Sequence, residues 1–300
     1  MKSGKGSRLF LKKGRQTSLA NGDAMSSKED FQAWIGRRVQ SEDVLTEGLF
    51  RRFAATFDLT DEKRAVGQPA PPLIHFCLAP NAFPASRLGE DGHERRGEFL
   101  PPIPLHRRMW AGSRIEFRGA LRVGETVCRV TEIESVSTKE GKRGPLCFVG
   151  LKHTIQVGDE VRIIEHQDLV YLDTIKRHGE AHCGADQLLD EEIMLGEATL
   201  FRYSAITFNS HRIHYDRDYA RATEGYPDLV VHGPLQATLL ISYATKLAGR
   251  PPNRFSFKAV SPLYVGNPIT LRAVQREGAT RLECVKRDGQ ATTYADAMWS

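Results

Sequence analysis

Residues 49–58 read LFRRFAATFD, and residues 200–209 read LFRYSAITFN. Six of the ten positions are identical in this register. Both stretches carry apolar residues at helical spacing, which predicts an amphipathic helix in each half of the chain. Thr46 and Thr199 are the predicted N-caps, because a threonine side chain can accept a hydrogen bond from a free N–H of the first turn.

Two further pairs of segments follow in the same order. Residues 73–75 (LIH) resemble residues 230–232 (VVH), and residues 120–125 (ALRVGE) resemble residues 262–267 (PLYVGN). Strand-like sequence lies on both sides of each Val-Gly pair. Three matches in one order indicate a duplicated unit.

The second copy contains a strongly apolar helix. It begins at Gly233-Pro234, and Gly249 ends it. The stretch LQATLLISYATKLA between them is apolar nearly all round, which predicts a buried helix. The first copy instead has a loop rich in Gly, Pro and Arg at about residues 80–112, and residues 175–195 read as a linker. A buried helix wrapped by an antiparallel sheet belongs to the α+β class.

Composition places the chain among globular proteins of a reducing compartment. The 300 residues are 40% hydrophobic and 26% charged. No apolar run approaches the roughly 18–20 residues that span a bilayer. The five cysteines are scattered, without a CxxC pair, at Cys77, Cys128, Cys147, Cys183 and Cys284. We therefore expect free thiols and a cytoplasmic location.

The net charge of +5 comes from the first residues alone. Residues 1–24 hold six basic residues and one acidic residue, so the body of the chain is neutral. A neutral body gives no electrostatic reason to bind nucleic acid. Residues 1–27 are predicted to be a disordered tail, for which an upstream start before Met25, a transit peptide and a nucleic-acid-binding arm all remain open.

Residues 208–216, FNSHRIHYD, concentrate polar chemistry that the first copy lacks. In the register of the repeat, Asp58, Thr60 and Lys63 stand at the positions of Asn209, His211 and His214. A group present in one copy only indicates a functional site in the second half, with the first half shaping a pocket.

Three interpretations of the histidines compete. A metal site would need His232 or Asp216 to join the HxxH pair, but the sequence after Asn209 reads as a turn and no cysteine is near, so we expect no metal. The histidines could also only hydrogen-bond the turn. In the catalytic interpretation Asn209 holds a water, His214 is the general base with an ordinary pKa near 6.5, and the Gly233 N–H is an oxyanion donor.

These motifs resemble those of the MaoC-like, hotdog-fold enoyl-thioester hydratases. FNSHRIHYD followed by VVHGPL is similar to the hydratase motif, and residues 104–125 resemble the N-terminal hotdog of the fungal-synthase-like dehydratases. The resemblance covers roughly residues 28–300. It implies a double hotdog, with an N-terminal supporting hotdog at 28–175 and a catalytic hotdog at 184–300.

The resemblance also implies a reaction. It favours a hydratase or dehydratase for an α,β-unsaturated acyl-CoA, nearest to the 3-methylfumaryl-CoA (mesaconyl-CoA) and itaconyl-CoA hydratases, which form citramalyl-CoA. The family's catalytic Asp is Asn209 here, which leaves His214 as sole base. The family's Asn-Pro pair is His211-Arg212, and Arg212 is either a guanidinium clamp for a substrate carboxylate or a solvated loop charge. His211, Arg212 and His232 are the candidate substrate-binding residues.

Other functions remain open at this level. One is a β-hydroxyacyl-thioester dehydratase of lipid synthesis, and another is an acyl-CoA thioesterase. A third is a non-enzymatic acyl-CoA- or RNA-binding module. The favoured interpretation expects no cofactor, an acyl-CoA as the partner, no nucleic acid and no membrane, with a homodimer as one open assembly.

Overall fold

All the strands of the computed structural model belong to one antiparallel sheet. The structure describes residues 31–59, 65–141, 144–173 and 190–299, so the predicted tail lies outside the described residues. The strands are β1 (Arg38–Val44), β2 (Arg107–Phe117), β3 (Thr126–Gly141), β4 (Gly144–Val157), β5 (Glu160–Leu172), β6 (Asp190–Met194), β7 (Arg254–Ala259), β8 (Pro268–Arg276), β9 (Ala279–Lys286) and β10 (Ala291–Met298). Strand β6 lies within the predicted linker at residues 175–195, so the predicted linker extended too far toward the C-terminus.

The order of the strands repeats itself. Across the sheet it is β1-β3-β4-β5-β2-β7-β10-β9-β8-β6. Counted inward from the two edges, β1-β3-β4-β5-β2 corresponds to β6-β8-β9-β10-β7, so the predicted duplication is confirmed. The halves join where β2 pairs with β7, and Gly112 permits that approach because a β-carbon there would collide with the carbonyl of Phe257. The predicted units 28–175 and 184–300 contain five strands each, although their exact boundaries stay predictions.

Helices α1 (Glu47–Thr56) and α2 (Glu197–Thr207) correspond to each other, but not in the predicted register. Phe53 and Tyr203 are both buried, and the left-handed residue that follows each helix is Asp58 in one copy and Phe208 in the other. The alignment of identical residues is therefore shifted by one position relative to the structural alignment. A shift of one residue turns a helical side chain by about 100°, so the core contacts and not the letters set the true alignment.

One prediction made in that register is wrong. Asn209 corresponds to Leu59 and not to Asp58, because the N–H groups of Leu59 and Asn209 make the same hydrogen bond to the end of their helices. The matches of His211 to Thr60 and of His214 to Lys63 involve residues outside the described ranges.

The predicted N-caps have different outcomes. Thr46 caps α1, since its side chain accepts the N–H of Leu49 at 3.0 Å. Thr199 is not a cap, because α2 begins earlier, after Gly196, which has no side chain to offer.

The second half is filled by helix α4 (Gly233–Ala248). Its start at Gly233-Pro234 and its end at Gly249, where φ is +69°, are as predicted. Leu235, Leu240 and Ile241 on this helix are fully buried against the concave face of the sheet. Within the described ranges no helix is both long and apolar enough to cross a membrane.

The first half has no such helix among its described residues. The backbone N–H of Ala70 donates to the carbonyl of Leu121 at 2.8 Å, and the N–H of Val231 donates to the carbonyl of Leu263 at the same distance. Ala70 is therefore the structural equivalent of Val231. The predicted match of residues 73–75 to residues 230–232 was wrong. Beyond this point the described residues of the first half form two 3-10 turns, Ile74–Cys77 and Ala85–Arg87, within a largely irregular segment that ends at β2, earlier than the predicted residue 112. A cavity of about 1520 Å³ opens between this segment, the sheet and the start of α4.

Candidate active site

The FNSHRIHYD segment forms a tight turn at the edge of this cavity. Helix α2 ends at Phe208 in the left-handed region, and Asn209 then accepts the N–H of His211 on its Oδ1 at 2.9 Å. A 3-10 turn over Arg212–His214 follows, and the short helix α3 (Arg217–Ala222) begins after Asp216. The turn predicted after Asn209 is confirmed, and it brings Asn209, His211 and His214 to the cavity wall.

His214 has one ring nitrogen committed and one available. Its Nδ1 lies 2.6 Å from the carbonyl oxygen of Val230, which can only accept, so Nδ1 carries the proton and Nε2 keeps its lone pair. Burial lowers the pKa of His214 to about 4, although the hydrogen bond to Val230 opposes the shift. His214 is therefore neutral at neutral pH, with a pKa below the value near 6.5 expected from the sequence.

Two further histidines hold the His214 ring in place. His232 stacks on it with ring centroids 3.6 Å apart, and the Nε2 of His232 lies 2.9 Å from the hydroxyl of Ser204 on α2. His211 meets the His214 ring edge-on at 5.5 Å. Burial lowers the pKa of both His211 and His232 well below the usual range, so both are neutral neighbours of the base.

Gly233 places a helix N-terminus beside this histidine cluster. It directly follows His232, is the first residue of α4 and lines the cavity. The N–H groups of a first helical turn have no intrahelical acceptor and lie at the positive end of the helix dipole. The geometry is compatible with the predicted oxyanion role, which stays a prediction.

Arg212 is not placed as predicted for a substrate clamp. Its guanidinium donates to Asp216 at 2.7 Å, and it lies 4.2 Å from the ring of Tyr219. It is absent from the cavity lining. Arg212 instead ties the turn at residues 208–216 to the start of helix α3, so it is a partly exposed loop charge that is paired with Asp216, closer to the predicted alternative of a solvated loop charge.

The irregular segment of the first half holds the turn at residues 208–216 from outside. Ser210 donates to the carbonyl of Gly92, and the backbone N–H of Arg212 donates to the carbonyl of Asp91 at 2.9 Å. Gly92 has φ +87°, and a β-carbon there would collide with the carbonyl oxygen of Ser210. The turn is therefore shaped by both halves, which the sequence alone did not reveal.

An Asp–His pair from the same segment extends the histidine cluster. His93 Nδ1 lies 3.1 Å from Asp91, and the His93 ring lies 4.2 Å from the ring of His211. Burial opposes ionisation of Asp91, but the hydrogen bonds from His93 outweigh it and lower the pKa of Asp91 to about 2. No motif in the sequence linked residues so far apart along the chain.

Asp91, His93 and His211 are also the residues here that could hold a metal ion. Each brings one ligand atom within 4.8 Å of the others. However, both Asp91 oxygens already accept hydrogen bonds from His93, and the nearby Arg108 contributes positive charge that opposes a cation. Among the described residues His211, His214 and His232 lie close together but do not form a second such group, and Asp216 is held by Arg212.

Comparison with known proteins agrees with this architecture. The duplicated strand order in one antiparallel sheet is that of a double hotdog. More than half of the chain, residues 73–265, matches the model of the hydroxyacyl-thioester dehydratase type 2 family, and the chain belongs to this family.

Two curated relatives and two solved structures give the scale of the similarity. The chain is 40% identical to mesaconyl-C(4)-CoA hydratase of Chloroflexus aurantiacus over 278 residues, which is 90% of this chain and 98% of that protein. It is 25% identical to the mitochondrial hydroxyacyl-thioester dehydratase type 2 of Schizosaccharomyces pombe, over 67% of this chain and 76% of that protein. A MaoC-like dehydratase from Phytophthora capsici aligns with a TM-score of 0.67 at 14% identity, covering 88% of this chain and 96% of that one. A double-hotdog protein of Mycobacterium tuberculosis aligns at 0.56 and 13% identity, covering 88% and 96%, so the fold is confirmed.

Proposed function

We propose that the protein is a hydro-lyase that adds water to an α,β-unsaturated acyl-CoA carrying a second carboxylate, of the mesaconyl-CoA type, to give citramalyl-CoA; itaconyl-CoA would give the same product only after its double bond shifts into conjugation with the thioester. The observation that carries the chemistry is a neutral, buried His214 with a free Nε2 beside the N-terminus of α4. The 40% identity to mesaconyl-C(4)-CoA hydratase supports the substrate class.

The proposed mechanism assigns one task to each group. The Gly233 N–H donates to the thioester carbonyl and stabilises the enolate that forms. A water accepts a hydrogen bond from the Asn209 amide, whose Oδ1 is occupied by His211, and donates to His214 Nε2. His214 takes the proton as the hydroxide adds to the β-carbon, and the imidazolium then returns a proton to the α-carbon.

The burial of the histidines suits this cycle. A His214 imidazolium is disfavoured in its buried site, so it gives up its proton readily and the base is regenerated. His211, His232 and His93 are kept neutral by burial, so none of them holds a positive charge against the transient imidazolium.

A hydration assay tests the proposal. The panel contains mesaconyl-CoA, itaconyl-CoA, crotonyl-CoA and a long-chain enoyl-CoA, and free thiol is followed in parallel to detect thioesterase activity. We expect His214→Ala to lower kcat by about 10²–10⁴-fold, the usual contribution of a general base. His166→Ala is the matched control, because His166 lies on β5 outside the cavity lining and pairs with Glu134. Full activity of His214→Ala would contradict the proposed mechanism.

A lipid-synthesis dehydratase is the second candidate. The similarity to the mitochondrial dehydratase of Schizosaccharomyces pombe favours it. Preferred turnover of the long-chain thioester would move the protein to that function with the same residues in the same roles. Absence of a cofactor, a cytoplasmic location and a homodimer stay predictions.

A further inference from the structure

The sheet of the first half has a polar inner face that its fold does not require. We call it the polar floor, and it consists of Ser113 on β2, Arg129 and Thr131 on β3, His153 on β4, and Glu165 and Gln167 on β5. The strand registers place these residues side by side, with Thr131 opposite His153 and His153 opposite Glu165.

The second half shows what this face looks like when it only supports a core. Following the equivalent strands and their registers, the counterparts of the polar floor are Phe255, Leu271, Ala273, Leu282, Ala295 and Ala297. All six are buried in the hydrophobic core that contains α4. Buried polar groups cost free energy unless they are paired, so any polar group of this face that keeps unused hydrogen-bonding capacity is a candidate for contact with a ligand.

An ionised carboxylate lies at the base of the polar floor. Glu165 is fully buried, accepts the Ser113 hydroxyl at 2.7 Å, and lies 3.3 Å from His75. Burial opposes its ionisation, but His75, His153 and Arg129 together hold the pKa of Glu165 at about 2. The negative charge keeps a cation, Arg129, within the floor.

Arg129 is held there with its hydrogen-bonding capacity only partly used. One terminal nitrogen donates to the carbonyl of Leu78 at 3.3 Å, the other lies 4.0 Å from Glu165, and the buried Nε has no hydrogen-bond partner. Other cavity arginines hold a carboxylate closely: Arg107 binds Glu224 at 3.0 Å, Arg108 binds Glu94 at 3.0 Å, and Arg281 binds Asp296 at 2.7 Å.

Arg129 also lines the same cavity as His214 and Gly233, together with Thr131, His153 and Gln167. His153 bridges Thr131 and Gln167 at 2.8 Å on each side, so these side chains form a connected polar wall. A guanidinium with a spare donor in such a wall matches a carboxylate.

We propose that Arg129 binds the free carboxylate of the substrate's acyl group, with Thr131, His153 and Gln167 as the surrounding polar wall, and that this subsite selects short dicarboxyl thioesters over uncharged and long-chain ones. The proposal rests on the proposed function for its reaction, but not for its binding chemistry. It also moves the carboxylate clamp from Arg212 to the opposite half of the molecule.

The test compares substrates that differ only in that carboxylate. In 3-methylcrotonyl-CoA a methyl group replaces the carboxylate of mesaconyl-C4-CoA. We expect wild type to favour the dicarboxyl thioester by about 100-fold or more in kcat/KM, because the analogue leaves the polar wall without a partner. The double variant Arg129→Leu/Glu165→Gln removes both buried charges at once and should bring that ratio to within about threefold, because kcat/KM falls more for the dicarboxyl thioester than for 3-methylcrotonyl-CoA.

Two controls separate binding from folding. Arg114→Met removes an exposed β2 arginine that pairs with Asp168, and should leave the ratio unchanged. Arg129→Lys keeps the charge and should retain part of the preference, which a purely structural role would not predict. An equal loss with both substrates in a folded Arg129→Leu/Glu165→Gln protein would overturn the proposal.

A binding measurement keeps this test independent of the reaction. Methylsuccinyl-CoA and isovaleryl-CoA are saturated counterparts that cannot be hydrated. If wild type hydrates nothing but binds methylsuccinyl-CoA more tightly through Arg129, the proposed reaction fails and the subsite stands. If wild type hydrates enoyl-CoA thioesters without a carboxylate preference, the reaction stands and the subsite fails.

Discussion

The two halves share one strand order but use their concave faces in opposite ways. In the second half the face is apolar and is covered by α4, whereas in the first half it carries the polar floor and borders a cavity. The turn that carries the proposed base lies in the second half, and the proposed carboxylate subsite lies in the first half. Two units with one strand order thus differ in what covers the sheet, which is a helix in the second half and a cavity in the first half.

The largest effect is expected from a charged side chain on the apolar sheet face of the second half. Leu271 occupies the position of Arg129, but it is buried in the core that contains α4. Leu271→Arg would bury a cation without a partner, and we expect a loss of several kcal/mol, about 4 or more, enough to unfold the protein. Urea denaturation and circular dichroism of Leu271→Arg, with Leu271→Met as the volume-matched control, measure this. A stable Leu271→Arg would show that the two faces are interchangeable.

The contact between the halves offers a second test, with an effect on catalysis. Gly92→Ala would push the β-carbon into Ser210 and displace the turn at residues 208–216, and a misplacement of about 1 Å can cost about 100-fold in rate. Gly67→Ala is the matched control, because Gly67 has nearly the same φ, +86°, but no atom within 4 Å of an added β-carbon. Both variants should lose about 1–2 kcal/mol of stability, but only Gly92→Ala should lose kcat. Equal kcat in the two variants would contradict the role given to this contact.

The buried histidines of both halves predict a common response to acid. Burial lowers the pKa of His153 in the first half and of His214 in the second half to about 4. In the unfolded chain they would take up protons near pH 6.5, so the unfolded state binds more protons between pH 6.5 and 4, and stability falls as pH falls through that window. Each histidine can contribute up to about 1.4 kcal/mol per pH unit.

Urea denaturation at pH 7, 6 and 5 measures that loss. His153→Gln and His214→Gln should each flatten the dependence, whereas Asp91 and Glu165, with pKa values of about 2, lose their contribution only in stronger acid. The same burial places the acid limb of kcat below pH 5. An acid limb near pH 6.5 would contradict the assignment of a buried, neutral base.

The smallest effect comes from the helix starts, where the halves differ by one cap. Thr46→Ala removes the side-chain cap of α1 and should cost about 1 kcal/mol. Gly196→Ser offers α2 a cap that it lacks and should add a few tenths of a kcal/mol. The midpoint of urea unfolding distinguishes the two. Gly196 has an extended backbone and open space for a β-carbon, so a destabilised Gly196→Ser would contradict the view that α2 lacks a cap.

The sequence predicted those features that depend on short stretches of chain. Helix α4 follows from its apolar run between Gly233 and Gly249, and the turn after Asn209 follows from its polar residues. The register of the repeat failed by one residue, because a letter match does not report which side of a helix faces the core. The contact of Gly92 with Ser210 and the polar floor could not be predicted, since each depends on residues brought together by the pairing of distant strands.

The junction of β2 with β7 has a consequence for how this chain is made. Because β7 belongs to the second half, β2 leaves the ribosome long before its partner exists, and until then it is an unpaired edge beside an open cavity. Such edges are sites where nascent chains associate wrongly. Translation speed and chaperone access during synthesis of the second half should therefore govern the yield of active protein more than they govern the stability of the finished molecule.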